Sequence, residues 1–314
     1  MSRVRFTPAL AAAWWNCYNP SEKPMHSSIR SRTNEPIRRL SWGNRVLDFR
    51  KRPYVMGILN CTPDSFYPGS RVPETDQAVQ RAQAMIQAGA DILDVGGEST
   101  RPGSDPVEAG EEIGRVVPVI QKIREVSEVL ISIDTRKAEV AEKALAAGAD
   151  LVNDVSALRG GRALAECIAD RDVPVILMHM RGEPKNMQEN PRYQDVIGEI
   201  AEELAGSVDF ARSCGIRDDR IIIDPGIGFG KRLQDNLRIL RDLRSLQALG
   251  FPIMIGLSRK SFIGTLLDKP VDQRLFGTVA ANMLALMNGA DILRVHDVAE
   301  AVDTVNIFDA VRRG

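Results

Sequence analysis

One phrase occurs three times in the chain and limits the fold more than any other feature. Gly89-Ala90-Asp91-Ile92-Leu93-Asp94 returns as Gly148-Ala149-Asp150-Leu151-Val152-Asn153 and again as Gly289-Ala290-Asp291-Ile292-Leu293-Arg294. Each copy follows an Ala-rich helical stretch, Gln77–Ala88 and Ala138–Ala147 among them. Glycine tolerates the left-handed conformation that ends a helix. A short apolar strand follows and closes on a polar residue, so the phrase is the helix-to-strand half of a βα unit. Five further apolar runs, Tyr54–Leu59, Leu130–Ile133, Val175–Met178, Ile221–Ile223 and Ile253–Gly256, bring the strands to eight. They are continuous rather than alternating, which marks parallel strands covered on both faces. Helical periodicity lies between them, as in Val196–Phe210 and Leu233–Leu249. Eight such units predict an α/β chain folded as one (β/α)8 TIM barrel over residues 51–314. A doubly wound sheet would carry a Gly-rich turn after its first strand. Here that strand runs into Asn60-Cys61-Thr62-Pro63-Asp64.

Composition narrows the function. A net charge of −1 gives no basic excess for nucleic acid, and 5% aromatic residues provide few stacking platforms. No apolar stretch approaches the length of a membrane span. The cysteines (Cys17, Cys61, Cys167, Cys214) form no CxxC pair, which argues against structural zinc or a disulfide framework and suits a reducing cytoplasm. The first 50 residues differ, with nine Lys or Arg against three acids. They read as an N-terminal extension, a partly disordered tail or a segment packed on the barrel, rather than a transit peptide; Met25 is an alternative start. Within it, Val46–Phe49 reads as an extra strand closing the barrel bottom.

In a parallel barrel, catalytic groups come from the C-terminal strand ends and the loops beyond them. Those positions are polar all round: Asn60, Asp94, Asp134, Asn153, His179, Asp224, Ser258-Arg259-Lys260-Ser261, then Arg294 and His296. Taken singly, Asp134, Asn153 or Asp224 is as readily a helix cap or an ion-pair partner, Lys260 a surface charge, Phe229 a loop anchor, and His296 a structural histidine. His179 fits a loop-fixing hydrogen bond, and Cys61 a small packing residue. Polar groups at every strand end are harder to ascribe to fold maintenance. Gly226-Ile227-Gly228-Phe229-Gly230-Lys231 has the look of a phosphate loop, but the spacing is one residue short and Arg232 stands where Ser or Thr is needed.

These stretches resemble the dihydropteroate synthase family. The phrases that carry the likeness are Met56-Gly57-Ile58-Leu59-Asn60-Cys61-Thr62-Pro63-Asp64-Ser65-Phe66, Asp94-Val95-Gly96-Gly97-Glu98-Ser99-Thr100-Arg101-Pro102-Gly103, Asp134-Thr135, Asn153-Asp154, Leu177-Met178-His179-Met180, Asp224-Pro225-Gly226-Ile227-Gly228-Phe229-Gly230-Lys231, Ser258-Arg259-Lys260-Ser261 and Arg294-Val295-His296-Asp297. They run in the family's order from about residue 53 to the C-terminus. The resemblance implies condensation of 6-hydroxymethyl-7,8-dihydropterin pyrophosphate with p-aminobenzoate, magnesium as cofactor, a homodimer, and a cytoplasmic place in folate biosynthesis. It also implies roles for residues. Asp134, Asn153 and Asp224 would hold the pterin edge, with Lys260, Phe229 and Met178 against the ring. Arg294, His296 and Asn60 would meet the pyrophosphate, Asn60 linking to Mg²⁺. Ser261, Phe66 and Pro102 would form the aminobenzoate pocket. Lys260, Asp64, Thr100 and Arg101 would act in catalysis, the last three from two loops.

The chemistry is consistent with those residue types. A pterin edge offers paired N–H donors and a ring acceptor, which carboxylates and an amide can match. A departing pyrophosphate develops negative charge that nearby cations stabilise. Magnesium often takes few protein ligands when phosphates supply the rest. Ser261 opens a helix over Phe262–Leu267, and helix N-termini favour anions. In one place the chain departs from the family: Tyr67-Pro68-Gly69-Ser70 stands where Ser-Asp-Gly-Gly is usual, so the second loop acid is absent at Pro68. Two rival readings therefore stay open here, a pterin-binding methyltransferase, against which Lys260, Arg294 and His296 speak, and a non-catalytic pterin-binding paralogue, which Pro68 suggests.

Overall fold

The structure, a computed structural model, describes residues 36–62, 74–99, 104, 106–182, 187–189 and 191–314. A hairpin of β1 (Arg39–Trp42) and β2 (Arg45–Asp48) precedes eight parallel strands: β3 (Tyr54–Asn60), β4 (Ile92–Gly96), β5 (Leu130–Asp134), β6 (Leu151–Asp154), β7 (Val175–Met178), β8 (Ile221–Asp224), β9 (Met254–Gly256) and β10 (Ile292–Val295). Strands β3 to β8 pair in chain order, and β10 lies between β3 and β9. The ring closes at β8 and β9 through one bridge, Ile223 to Ile253, where the Ile223 N–H donates to the Pro252 carbonyl at 2.9 Å.

The described helices surround the ring as α1 (Glu74–Gln87), α2 (Ala109–Val126), α3 (Ala138–Ala146), α4 (Arg162–Arg171), α5 (Val196–Ser213), α6 (Leu233–Asp242), α7 (Ser261–Leu267), α8 (Leu275–Met287) and α9 (Val298–Arg313). The expected helix over 233–249 is divided: after Asp242 the chain tightens into a 3-10 turn at Leu243–Leu249. Leu243, Leu246 and Leu249 are all buried, a spacing of three that a 3-10 turn eclipses on one face.

Alternation along the strands explains why they read as unbroken apolar runs. Successive side chains point to opposite faces. Val55, Leu93, Ile131, Val152, Leu177, Ile223, Ile255 and Leu293 belong to the core under the helices. Met56, Ile92, Leu151, Ile176, Ile222, Met254 and Ile292 belong to a second core inside the barrel foot. Leu40, Trp42, Leu47 and Phe49 fill that foot from below, so the hairpin is a stopper. Each such side chain contributes about 2 kcal/mol by leaving water. The Val46–Phe49 strand is thus one arm of the hairpin, and the N-terminal residues 1–35 lie outside the described residues.

Candidate active site

The same alternation sets the mouth of the barrel. Two positions beyond Ile92, Leu151, Ile222 and Ile292 of the inner layer stand Asp94, Asn153, Asp224 and Arg294, on the same face and one layer higher. Asp134 ends β5 beside Asn153 on β6. All of these except Arg294 are buried, and the Arg294 side chain is 19% exposed.

The sixth residues of the three repeated phrases come together here on Asp94. Arg294 Nε donates to Asp94 Oδ2 at 2.5 Å, and Asn153 Nδ2 donates to the same oxygen at 3.0 Å. Arg294 Nη2 reaches Asp134 Oδ2 at 2.6 Å. The sequence marked Asp94 only as a polar strand end, yet it is the hub of this network. The signal was its position in the phrase, equivalent to Asn153 and Arg294. The Arg294 guanidinium loses hydration by burial, but Asp94 and Asp134 outweigh that loss and raise its pKa further above the usual arginine value. For Asp134 burial dominates over the attraction of Arg294, and its carboxyl is raised above the ordinary carboxylate range. Burial likewise raises Asp224, against the pull of Lys260, while its Oδ1 accepts the Gly226 N–H at 2.7 Å. Two acceptors remain open: Asp94 Oδ1 and Asn153 Oδ1 are buried without a hydrogen-bond partner among the described residues.

Lys260 enters from the turn after β9. That turn is held by Arg259, whose φ is 54°, whose N–H donates to Thr278 Oγ1 at 3.0 Å, and whose guanidinium grips Asp297 through two bonds of 2.8 Å. The Lys260 ammonium donates to the Ile227 carbonyl and lies 4.9 Å from the centre of the Phe229 ring. Burial draws its pKa down to about 8, although Asp224 favours the charge. Phe229 packs against Met178, Met180, Met187 and Val155, which form an apolar wall. His296 donates its N–H to Ser258 Oγ at 3.1 Å, with Nδ1 3.0 Å from the same oxygen. Asn60 ends β3, half-buried, in register with Gly96. Ser261 begins α7 and is exposed. Asp64, Phe66, Pro68, Thr100, Arg101 and Pro102 lie outside the described residues.

Residues 56–296 match the family described as pterin binding enzyme. Over 272 residues the chain is 46% identical to a dihydropteroate synthase of Synechocystis, an alignment covering 86% of this chain and 94% of that one. The chain belongs to the dihydropteroate synthase family. A solved synthase of Xanthomonas albilineans with 4-aminobenzoic acid is similar at a TM-score of 0.83 and 44% identity, covering 88% of this chain and 99% of that one. Another structure of the X. albilineans synthase, in complex with 7,8-dihydropteroate, is similar at a TM-score of 0.80 and 42% identity, again covering 88% and 99%. The family match runs from Met56 in β3 to His296 just beyond β10, so it takes in the barrel and its mouth.

Proposed function

We propose that this chain is a transferase that condenses 6-hydroxymethyl-7,8-dihydropterin pyrophosphate with p-aminobenzoate, giving 7,8-dihydropteroate and pyrophosphate in folate biosynthesis. The observation that carries the reading is the buried set Asp94, Asp134, Asn153 and Asp224, with two acceptor oxygens still open, beside the cations Arg294 and Lys260. A buried acceptor without a donor costs about 1–3 kcal/mol. A pterin edge supplies N–H donors that remove that cost, while Phe229 and Met178 offer apolar surface to the ring.

The reaction breaks the C–O bond of the hydroxymethyl group, and its electron pair leaves with pyrophosphate. The arylamine nitrogen then forms the C–N bond and releases a proton. Arg294 uses Nε and Nη2 on the two aspartates, leaving Nη1 for the diphosphate, with His296 beside it. The residues fit magnesium of the kind that takes most of its ligands from phosphate and water. Asn60 offers one amide oxygen at the mouth, and the described residues gather no group of three or more His, Cys, Asp or Glu that would bind the ion alone. Bound there, the ion would add positive charge at the leaving group. Ser261 at the start of α7 would meet the aminobenzoate carboxylate.

The same reading makes the chain a cytoplasmic homodimer. No helix among the described residues is long and apolar enough to cross a membrane. Leu266, Leu267, Val271, Phe276, Leu284 and Met287 are exposed on α7, α8 and the turn between them, surface that a second copy would cover. The test of the reaction is pyrophosphate release measured with and without p-aminobenzoate and Mg²⁺. Release is expected to require both. Release at an unchanged rate without p-aminobenzoate, or pterin binding with no release at all, would reject the condensation.

A further inference from the structure

Two buried side chains beside the mouth have no part in the chemistry above. Lys231 is 3% exposed and forms no ion pair among the described residues. Its Nζ instead faces two carbonyls and a ring nitrogen from two loops: the Phe229 carbonyl at 3.0 Å, His179 Nδ1 at 2.9 Å and the His179 carbonyl at 3.4 Å. His179 is itself buried, and its Nε2 lies 3.1 Å from Glu203 Oε2 on α5. The loop after β8 is thus linked to the loop after β7, with the carboxylate of the outer helix close to the far side of the imidazole.

The two loops are already pressed together at the backbone. Gly226 and Gly230 have φ of 66° and 62°. A Cβ at Gly226 would stand 1.9 Å from the His179 carbonyl oxygen, and one at Gly230 2.2 Å from that of Arg181. No side chain can be added at either place without moving backbone. Phe229 sits between these glycines, and Met178 precedes His179 directly. An amino group removed from water without a counter-charge is unfavourable, and a methionine would fill the space at less cost. What methionine cannot do is donate to both loops at once.

We propose that Lys231 is a positioning residue of the pterin site: its buried amino group ties the Phe229 carbonyl to the carbonyl and imidazole of His179, and so fixes Phe229 relative to Met178. This rests on the pterin reading of the mouth. It requires His179 to be neutral and to accept at Nδ1, with its proton on Nε2 toward Glu203. Burial first, and Lys231 next, draw the imidazole pKa down to about 4, with Glu203 opposing and Arg181 assisting. Tyr193 packs at 6.2 Å from the imidazole, and Asp224 and Lys260 act on Lys231 from the mouth side.

The first measurement needs no substrate. Nitrogen-15 spectra of the histidines in the wild-type protein, with His179 assigned through His179→Gln, are expected to show the neutral Nε2–H tautomer at neutral pH. An Nδ1–H tautomer or an imidazolium would overturn the tie. The second is kinetic, on Lys231→Met. The KM for the pterin pyrophosphate is expected to rise about tenfold while that for p-aminobenzoate stays within about twofold, and the His179 pKa is expected to rise. Equal rises in both KM values, or unchanged kinetics in the folded variant, would overturn the role. Should Lys231→Met fail to fold, the same pterin-selective rise must appear in His179→Gln. If the wild-type protein releases no pyrophosphate, the reaction has failed rather than the tie, and the affinity for the pterin alone, read by fluorescence titration in wild type and variant, replaces KM.

Discussion

The two ends of the barrel both present aspartates and use them in opposite ways. At the foot are the third residues of the repeated phrase. Asp91 accepts the Val55 N–H at 2.9 Å and both ends of the Arg52 guanidinium at 2.9 and 2.5 Å. Asp150 accepts the Ile131 N–H at 2.8 Å and Arg45 at 3.0 Å, and pairs with Arg124. Asp291 accepts the Ile253 N–H at 2.9 Å and Arg38 at 2.7 Å. Each carboxylate fastens the start of the preceding strand and is neutralised by arginine. Arg38 lies just before the hairpin and Arg45 within it, so the stopper is held by charge as well as by packing. At the mouth the sixth residues of the phrase are bonded to one another, yet acceptors on Asp94 and Asn153 stay open. One phrase therefore supplies a fastening at its third residue and a receptor at its sixth. Unsatisfied valence, rather than residue type, separates the two.

Exchanging substitutions between the ends is the most direct way to break this contrast. Asp224→Ala at the mouth is expected to lower kcat/KM about a thousandfold while the urea midpoint holds; unchanged pterin affinity would refute the placing of that carboxylate. Asp291→Ala at the foot is expected to do the reverse, costing about 3 kcal/mol in urea unfolding because it strands Arg38 and a strand N–H, with kcat intact per folded molecule. A kcat loss matching that at Asp224 would erase the distinction. The pH profile sharpens the contrast from the mouth side. Lys260 is a cation below its pKa of about 8 and neutral above it, so kcat/KM should fall as pH rises through about 8. Asp134, raised by burial, should set an acid limb above the ordinary carboxylate range, with activity lost as the carboxyl gains its proton. Lys260→Arg should carry the basic limb upward, and a profile flat through this region would exclude Lys260 as the required cation. The smallest effect belongs to Arg52→Ala. That side chain is 41% exposed, so the loss should be about 1 kcal/mol or less by thermal melting.

Much of this was legible in the sequence because it depends on periods. Apolar runs of the right length located the strands to within a residue or two, and Val175–Met178 matched at both ends. Glycines 89, 148 and 289 end the helices at φ of 95°, 114° and 95°. Candidate site residues on strands followed from the same period, and Asp134, Asn153, Asp224 and Arg294 do converge. What the sequence left out depends on contacts between distant residues. Nothing local links Arg38 to Asp291 or Arg45 to Asp150, so Val46–Phe49 read as a strand closing the barrel bottom while its partner β1 and these ion pairs stayed hidden. Lys231 stood out only as a failed phosphate-loop lysine, because its partner His179 is 52 residues away. The 3-10 turn at Leu243–Leu249 was hidden because an apolar spacing of three also fits the helical pattern.

The single bridge between Ile223 and Ile253 has a mechanical consequence. A cylinder stitched along one side at a single point has a built-in direction of give, and here it lies in the wall between the strand carrying Asp224 and the turn carrying Lys260. A flat ligand laid across those two residues spans the stitch and laces the wall shut, so occupancy of the mouth should be felt throughout the molecule as resistance to heat.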